Sequence, residues 1–456
     1  MPISFPSDIS GFDFWPLEFD KKARPVDPGQ IDRLERGLSA TGVTDLLVLS
    51  HGWNNDEREA LRLYQALLRN VDRQQRGRFG GRRIAVAGLF WPSKKFAESE
   101  AIPGRAASVA GDVPQADLIA TIEQLRGFFD GPTSDQILDE LVALVPRLDA
   151  EPVAKRRFGE LTQDLLGDDW SSDAEVEEEM PSAMRTMPGE ELIDRLSAPR
   201  EEETMVAGRS EGGIAAMEVG GGAVGDPEGG TAFLGSLFSG VRSGALNTLN
   251  LFTYYQMKDR AGVVGSVGVG PVLRSLMDDN RAVRVHLAGH SFGGRLVTAS
   301  VMGDGSEQPL PAHSVTLLQA AFSHNGFAQD YEPGKDGFFR RVVAESPGLP
   351  GPILITHTSN DLPNRWGYPM ASRLARHKAA VFGGPDDVFG AIGSNGAQRT
   401  PEAEFGRLLD VDSVYHLSAG KIHNLASSSF ISGHSDVEGA QVANALVSAL
   451  VAVNDA

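Results

Sequence analysis

Short apolar runs near the N-terminus are separated by a stretch with helical periodicity. The runs DLLVLS (45–50) and RRIAVAGLFW (82–91) have the length and apolar content of buried strands. Between them, apolar side chains recur at three- and four-residue spacing at Ala60, Tyr64, Leu67, Leu68 and Val71. This order of strand, helix and strand is typical of a parallel sheet with crossover helices.

The same alternation returns in the C-terminal half of the chain. Four further strand candidates are VRVHLAG (283–289), SVTLLQAAF (314–322), PILITHT (352–358) and SVYHLSA (413–419). A final helix is predicted over VEGAQVANALVSALVAV, and an extended segment near the N-terminus, GFDFWPLEFDKKARP, precedes a short predicted helix. We therefore predict an α/β protein with a mostly parallel central sheet flanked by helices.

The alternation is interrupted between residues 96 and 245. This block contains helical stretches such as SDQILDELVALVPRL, an acidic run and the glycine-rich tract EVGGGAVGDPEGG. From Glu160 to Glu203 there are 15 acidic residues against 3 arginines, a composition that favours disorder. We therefore expect a large insertion at 96–245 that is helical, partly disordered and similar to a cap. It separates two parts of the core, at 1–95 and 246–456. Its mobile part is predicted between about residues 168 and 230, with SDQILDELVALV and TAFLGSLFSGV as fixed helices.

Composition narrows the class of protein. The formal net charge of −19 lies mainly in the acidic run and argues against a nucleic-acid partner. The chain has no cysteine, which excludes disulfides, thiolate metal sites and a cysteine nucleophile. It has no secretion signal and no apolar run of transmembrane length, so we expect a cytoplasmic protein without a transmembrane segment. We find no set of metal ligands and no cofactor motif; RAGVVGSVGVG (260–270) has no strand before it and no Lys-Ser/Thr after it.

One pentapeptide stands directly after a predicted strand. Residues 289–293 read Gly-His-Ser-Phe-Gly, and RLVTASVM can continue as a helix. A serine on a strained turn between strand and helix needs neighbours without side-chain bulk, which Gly289 and Gly293 provide. Ser291 is therefore the candidate nucleophile, with its hydroxyl above the carboxyl edge of the sheet.

The alternating elements and this turn together resemble the α/β-hydrolase superfamily, and within it serine hydrolases of the lipase and esterase type. The resemblance covers roughly residues 10–95 and 246–456. It implies the α/β-hydrolase fold and a chain order of nucleophile, acid and histidine. Asp361 follows the strand PILITHT and is the expected acid, although Asn-Asp-x-Pro is also good turn chemistry. Asp410 and Asp412 are the competing carboxylates.

The resemblance also indicates which of the ten histidines is the base. His434 lies in a Ser/Gly loop directly before the final helix, where the base is expected, and His423 is the alternative. His286 and His416 fall on predicted strands, where a packing role is usual. His51 and His290 belong to the loop and turn motifs themselves.

An oxyanion hole needs two backbone donors. Phe292, the residue after the nucleophile, supplies one, and the loop HGWNND (51–56) resembles the oxyanion loop of lipases and esterases, with Trp53 as the second donor. A second interpretation, compatible with the first, is that Asn54 or Asn55 caps the following helix. The residues expected to contact substrate are Gly52, Trp53, His290 and Trp91; FWPSKKF, which contains Trp91, can equally be an aromatic plug over the sheet edge.

These residues predict a serine hydrolase that cleaves a carboxylic ester through an acyl-enzyme, with a small-molecule ester or acyl compound as substrate and no cofactor or metal. An amidase or peptidase would use the same three side chains. A non-catalytic binding protein on the same fold is the third alternative. The sequence specifies neither the acyl group nor the oligomeric state.

Overall fold

The computed structural model describes residues 4–93, 112–166, 183–197, 240–280, 282–344, 349–361 and 390–453. Its centre is a nine-stranded sheet of order β1-β2-β4-β3-β5-β6-β7-β9-β8, in which all neighbours are parallel except β1 and β2. The strands are β1 (Asp8–Ile9), β2 (Phe12–Glu18), β3 (Asp45–Ser50), β4 (Ile84–Phe90), β5 (Arg284–His290), β6 (Ser314–Leu318), β7 (Ile353–His357), β8 (Ala403–Arg407) and β9 (Ile422–Ala426). The predicted α/β class and mostly parallel sheet are confirmed.

Helices cover both faces of this sheet. They are α1 (Gly29–Thr41), α2 (Glu57–Gln75), α3 (Gln115–Glu123), α4 (Ser134–Leu144), α5 (Pro152–Asp164), α6 (Ala183–Thr186), α7 (Gly189–Ser197), α8 (Val241–Val263), α9 (Gly270–Asp279), α10 (Phe292–Met302), α11 (Arg340–Ala344), α12 (Ile392–Asn395) and α13 (Ala440–Val451). Helices α2 and α13 share one apolar cluster with one face of the sheet. Helices α1, α8 and α10 and those of the insertion form the cluster on the other face.

The burial of the central strands follows from this layering. Every residue of β3 and β4 is buried, as expected for parallel strands covered on both faces. The five apolar positions predicted for the first crossover helix are the buried residues of α2. Asp56 caps this helix in a reciprocal capping box with Glu59, so the predicted cap at Asn54 or Asn55 is wrong.

The two C-terminal strands differ from the prediction. Residues 413–419, SVYHLSA, form no strand; the strands are β8 and β9 on either side of that segment. Four of the five residues of β8 are exposed, because β8 is the edge of the sheet. An exposed edge strand lacks the apolar run that identifies a buried one, which explains why the sequence pattern missed β8.

The insertion is helical in its described part. Helix α7 lies inside the acidic run, yet Leu192, Ile193 and Leu196 are buried. The backbones of α5 and α7 touch, since a Cβ atom on Gly159 would stand 2.4 Å from the Cα atom of Gly189. Residues 183–197 of the predicted mobile segment therefore fold as helices. The rest of that segment, with 231–239 of TAFLGSLFSGV, lies outside the described residues.

The glycines of RAGVVGSVGVG serve helix packing. A π-helix, Val264–Val269, continues α8 into α9 and lies against α10. A Cβ atom on Gly265 would stand 2.2 Å from the carbonyl oxygen of Leu296, and one on Gly268 would stand 2.8 Å from that of Ala23. Only glycine permits this approach, and the result fixes the helix that follows Ser291.

Candidate active site

Ser291 occupies the turn between β5 and α10. Its φ of 56° and ψ of −125° are strained for a residue with a side chain. Two hydrogen bonds, to β6 and to the segment that follows it, hold this conformation. The Ser291 N–H donates to the Leu318 carbonyl, and the Ala321 N–H donates to the Ser291 carbonyl, both at 3.0 Å. The strand-to-helix turn predicted from the pentapeptide is present.

The two flanking glycines are required by backbone contacts. A Cβ atom on Gly289 would stand 2.2 Å from the Gly293 carbonyl oxygen, across the turn. A Cβ atom on Gly293 would stand 2.4 Å from the carbonyl oxygens of both Ser50 and His51, at the end of β3. The first contact is the collision expected from the sequence; the second shows that the turn is also pressed against the neighbouring strand.

Ser291, His434 and Asp361 form one chain of hydrogen bonds. The Ser291 hydroxyl lies 2.8 Å from His434 Nε2. His434 Nδ1 lies 2.9 and 3.0 Å from the two carboxylate oxygens of Asp361. Because a carboxylate can only accept, Nδ1 carries the ring proton and Nε2 is free to accept the proton of the serine. The structure thus brings the three residues predicted from the sequence together, with His434 between Ser291 and Asp361.

The chain of hydrogen bonds is largely enclosed by protein. The side chain of Asp361 is fully buried and that of His434 is 14% exposed. The Asp361 N–H donates to the Thr358 carbonyl, which closes a turn just after β7. Asp361 is therefore a turn residue whose carboxylate also bonds to His434.

The loop after β3 lies directly over Ser291. A Cβ atom on Gly52 would stand 2.7 Å from the Cβ atom of Ser291, so the glycine permits contact between loop and turn. Trp53 follows in the loop, and its ring contacts the ring of Phe292, with centroids 6.0 Å apart. Phe292 begins α10 and so carries one of the N–H groups that a helix leaves without an internal acceptor. Both predicted oxyanion residues lie beside the serine.

Side chains from the segment that follows β4 support the loop after β3. His51 stacks on Trp91, with ring centroids 5.6 Å apart, and the Trp91 indole N–H donates to the His51 carbonyl. The Ser93 hydroxyl donates to the Asn55 carbonyl, and the Asn54 N–H donates to the Ser93 carbonyl. Trp91 is 4% exposed, so it lies beneath the loop as an aromatic plug.

His290 joins the turn to the loop that carries His434. Its Nε2 lies 2.9 Å from the main-chain oxygen of His434, and the two rings are 4.9 Å apart. Burial lowers the pKa of His290 to about 3, so the ring is neutral at physiological pH. Among the described residues, Nδ1 of His290 has no hydrogen-bond partner. A Cβ atom on Gly52 would stand 3.1 Å from this nitrogen.

Several alternative candidates lie away from Ser291. His423 is a residue of β9 and accepts a hydrogen bond from the Ser418 N–H, so it is not in a loop after the last strand. Asp410 accepts from Gln441, and Asp412 is a turn residue with φ of 65°. His286 bonds to Asp45 at the amino end of β3. The structure brings only His434 and Asp361, of these candidates, to the serine.

Tyr254 belongs to the site although no motif indicated it. Its ring lies 5.0 Å from that of Phe292 and 6.2 Å from that of Trp53, measured between centroids. Tyr254 is on α8, where 18 of 23 residues are buried, so no amphipathic pattern distinguishes one face. Trp53, Tyr254 and Phe292 together form an aromatic wall next to Ser291.

Ser291, Asp361, His434 and the Gly52 loop all follow the carboxyl ends of parallel strands. They therefore lie together at the carboxyl ends of the strands, where ligands bind in open α/β proteins. Within the described ranges, no group of three or more histidine, aspartate or glutamate side chains could hold a metal ion. No helix in the same ranges has the length and apolar character needed to span a bilayer.

Fold and site thus define an α/β protein with a Ser-His-Asp chain of hydrogen bonds at the carboxyl edge of its sheet. Comparisons with models of protein families, with curated proteins and with solved structures find no match to this chain.

Proposed function

We propose that this protein is a serine hydrolase of the α/β-hydrolase superfamily that cleaves carboxylic esters. The observation that carries the proposal is the continuous chain from Asp361 through His434 to Ser291, with distances of 2.9 and 2.8 Å. A serine is a weak nucleophile unless an adjacent base removes its proton, and this geometry supplies that base. Two further features support assignment to this superfamily. Its nucleophile serine is expected on a strained turn between strand and helix, as at Ser291, and its second oxyanion donor is expected from a loop such as the one after β3.

The proposed reaction has two halves. Ser291 Oγ attacks the acyl carbon while His434 Nε2 takes its proton, and the oxyanion is bound by the N–H groups of Phe292 and Trp53. His434 returns the proton to the leaving alkoxide, so an alcohol departs and an ester to Ser291 remains. A water molecule, deprotonated by His434, then attacks this ester. As the second oxyanion collapses, His434 returns the proton to the departing Ser291 Oγ, which releases the acid and restores both the serine hydroxyl and the neutral histidine. Asp361 keeps the proton of His434 on Nδ1 throughout and stabilises the charged ring.

An active-site label tests this proposal without knowledge of the substrate. A fluorophosphonate should label the wild-type protein and leave Ser291→Ala unlabelled, because phosphonylation needs the activated hydroxyl. Ser275→Ala is the matched control, since Ser275 is exposed on α9; it should label like the wild type. Absence of labelling in the folded wild-type protein would contradict the proposal and favour the binding-protein alternative.

Substrate class needs a second measurement. p-Nitrophenyl esters of graded acyl length should be hydrolysed faster than matched peptide amides, since ester cleavage is the proposed reaction. Amide turnover that exceeds ester turnover would replace the proposal with the amidase or peptidase alternative. The cytoplasmic location also stays a prediction.

A further inference from the structure

The two edges of the sheet are unlike each other. One edge is β1, which has two residues and pairs antiparallel with β2. The other is β8, which has five residues, with Glu404, Phe405, Gly406 and Arg407 all exposed. Phe405 is 63% exposed. Proteins usually protect a free edge with a short strand, charged side chains, a proline or a covering segment. β8 has five residues and no proline, and its charged residues are Glu404 and Arg407.

The backbone of β8 offers two complete residues for pairing. In the parallel ladder with β9, the Ile422 N–H donates to the Glu402 carbonyl, and the Leu408 N–H donates to the Ala426 carbonyl. Since alternate residues of a strand point to the same neighbour, Glu404 and Gly406 face β9. The N–H and C=O groups of Phe405 and Arg407 therefore point outward. Within the described residues, no strand pairs with that side of β8.

We propose that β8 pairs antiparallel with β8 of a second copy of this chain, which joins the two sheets across a two-fold axis. Such an isologous contact needs a strand that is complementary to itself. The outward groups of Phe405 and Arg407 meet this condition when Phe405 of one copy lies opposite Arg407 of the other. The two strands then share four backbone hydrogen bonds, and Gly406 faces Gly406 on the axis.

Side-chain chemistry selects this register. Registers shifted by two residues in one direction place Arg407 opposite Arg407, which like charge disfavours. A shift in the other direction opposes Arg407 to Ala403, whose N–H already donates to the Thr400 carbonyl. In the proposed register each Arg407 meets the ring of Phe405, a cation–π pair. Within the described chain, Arg407 has no ion pair that this contact would replace.

The centre of the contact is free of steric conflict. A Cβ atom on Gly406 would find no heavy atom nearer than 3.7 Å, so the strand surface there is open. Strand pairing alone buries less than the roughly 800 Å² per partner of a standard interface, so the dimer should dissociate on dilution.

A single introduced cysteine tests the register. The natural chain has no cysteine, so Gly406→Cys creates one thiol per copy. The two-fold axis places the two Cβ atoms in a non-hydrogen-bonded pair about 4.5–5.5 Å apart, close to disulfide geometry. Mild oxidation of the folded protein should give a disulfide-linked dimer of two 48.7 kDa chains. Val153→Cys, at a 71% exposed position on α5, is the control and should stay largely monomeric.

Light scattering across a dilution series tests the contact in the native protein. The wild type should show a dimer that gives way to monomer, while Phe405→Lys and Arg407→Pro should be monomeric throughout, with unchanged circular dichroism. Phe405→Lys removes the aromatic contact, and Arg407→Pro removes an outward N–H without touching the ladder to β9. A wild type that is monomeric at every concentration overturns the proposal. So does a dimer that both substitutions leave intact and that Gly406→Cys fails to cross-link. None of these readouts depends on hydrolytic activity.

Discussion

The Nε2 atom of His290 lies 2.9 Å from the main-chain oxygen of His434. A carbonyl only accepts, so His290 donates this hydrogen bond, and burial keeps its ring neutral by lowering its pKa to about 3. The residue before the serine thereby fixes the loop that carries the proposed base. His290 thus holds the loop in position, while His434 is the histidine that accepts the serine proton in the proposed reaction.

Replacing His290 should therefore affect turnover more than substrate binding. His290→Phe removes the hydrogen bond and keeps a ring of similar shape, so we expect kcat to fall about tenfold with a smaller change in KM. His290→Gln retains an N–H donor and should recover part of the loss. Steady-state kinetics on a p-nitrophenyl ester measures both values. An unchanged kcat in His290→Phe would show that His434 needs no support from this bond.

The proposed nucleophile and base should be essential as a unit. Ser291→Ala and His434→Ala should each lower kcat by roughly four to six orders of magnitude with the fold intact, and Asp361→Asn somewhat less. His423→Ala is the matched control: His423 lies on β9 and accepts a hydrogen bond from the Ser418 N–H, so its loss should leave turnover near the wild-type value. If His423→Ala abolished activity and His434→Ala retained it, the proposed base would be wrong.

The loop after β3 should tolerate no side chain at Gly52. In Gly52→Ala the new methyl group would meet the Cβ atom of Ser291 at 2.7 Å, so loop and turn must separate. Separation moves Trp53 away from the oxyanion, and we expect a loss of at least about a hundredfold in kcat/KM. Gly81→Ala is the control, since its Cβ atom would have open space. Fluorophosphonate labelling rates should follow the same order, and equal rates in both variants would contradict the proposed oxyanion loop.

Stability should decrease in weak acid because neutral histidines are buried. Burial lowers the pKa of His51 to about 4 and that of His290 to about 3. The unfolded chain takes up these protons below about pH 6.5 while the folded chain does not, so folding is favoured less as pH falls. Each histidine contributes up to about 1.4 kcal/mol per pH unit.

Urea unfolding at several pH values measures this dependence. The free energy of unfolding should be flat near neutral pH and fall steadily below about pH 6.5. His290→Gln removes one titrating group and should reduce the slope. A free energy of unfolding that rose toward acid would mean that these rings are charged in the folded protein.

A substitution at Asp45, at the amino end of β3, should lower stability without changing catalysis. Asp45 is fully buried and binds Arg82, Arg284 and His286, and these hydrogen bonds keep its pKa below the usual range despite the opposing effect of burial. Asp45→Asn leaves Arg82 and Arg284, whose side chains are 16% and 17% exposed, without their carboxylate partner, which should cost about 3 kcal/mol of unfolding free energy. Turnover per folded molecule should be unchanged, because Ser50 and the oxyanion loop lie at the other end of the strand. A loss of kcat without loss of stability would contradict this separation.

The sequence predicted the parts of the fold whose patterns are local. β3, β4 and β5 are continuous apolar runs because both of their faces are covered, and Ser291 was found from two glycines that its turn requires. β8 was missed because its exposure removes the apolar signal. The cap at Asp56 was missed because three neighbouring residues have equally good capping side chains, and only the backbone of the loop selects among them.

The supporting contacts of the site could not be predicted, because they join distant parts of the chain. Tyr254 reaches Phe292 from a helix that is buried on all sides, and Ser93 holds Asn55 across two loops. His290 was expected to contact substrate, whereas its visible bond is to the backbone of His434. Such contacts depend on how elements pack, and residue spacing carries no information about them.

Helix α8 also limits how this chain could be shortened or rearranged. The predicted boundary between insertion and core, at residue 245, falls within its continuous span, Val241–Val263. Its buried residues touch the helices of the insertion as well as those of the sheet layer, in a single apolar cluster. Excising residues 96–245 would cut this helix and expose the inner surface that holds α10. A minimal version of the protein must therefore keep α8 whole, and new termini for a circular permutant belong in surface turns instead, such as the one at Gly303 and Gly305.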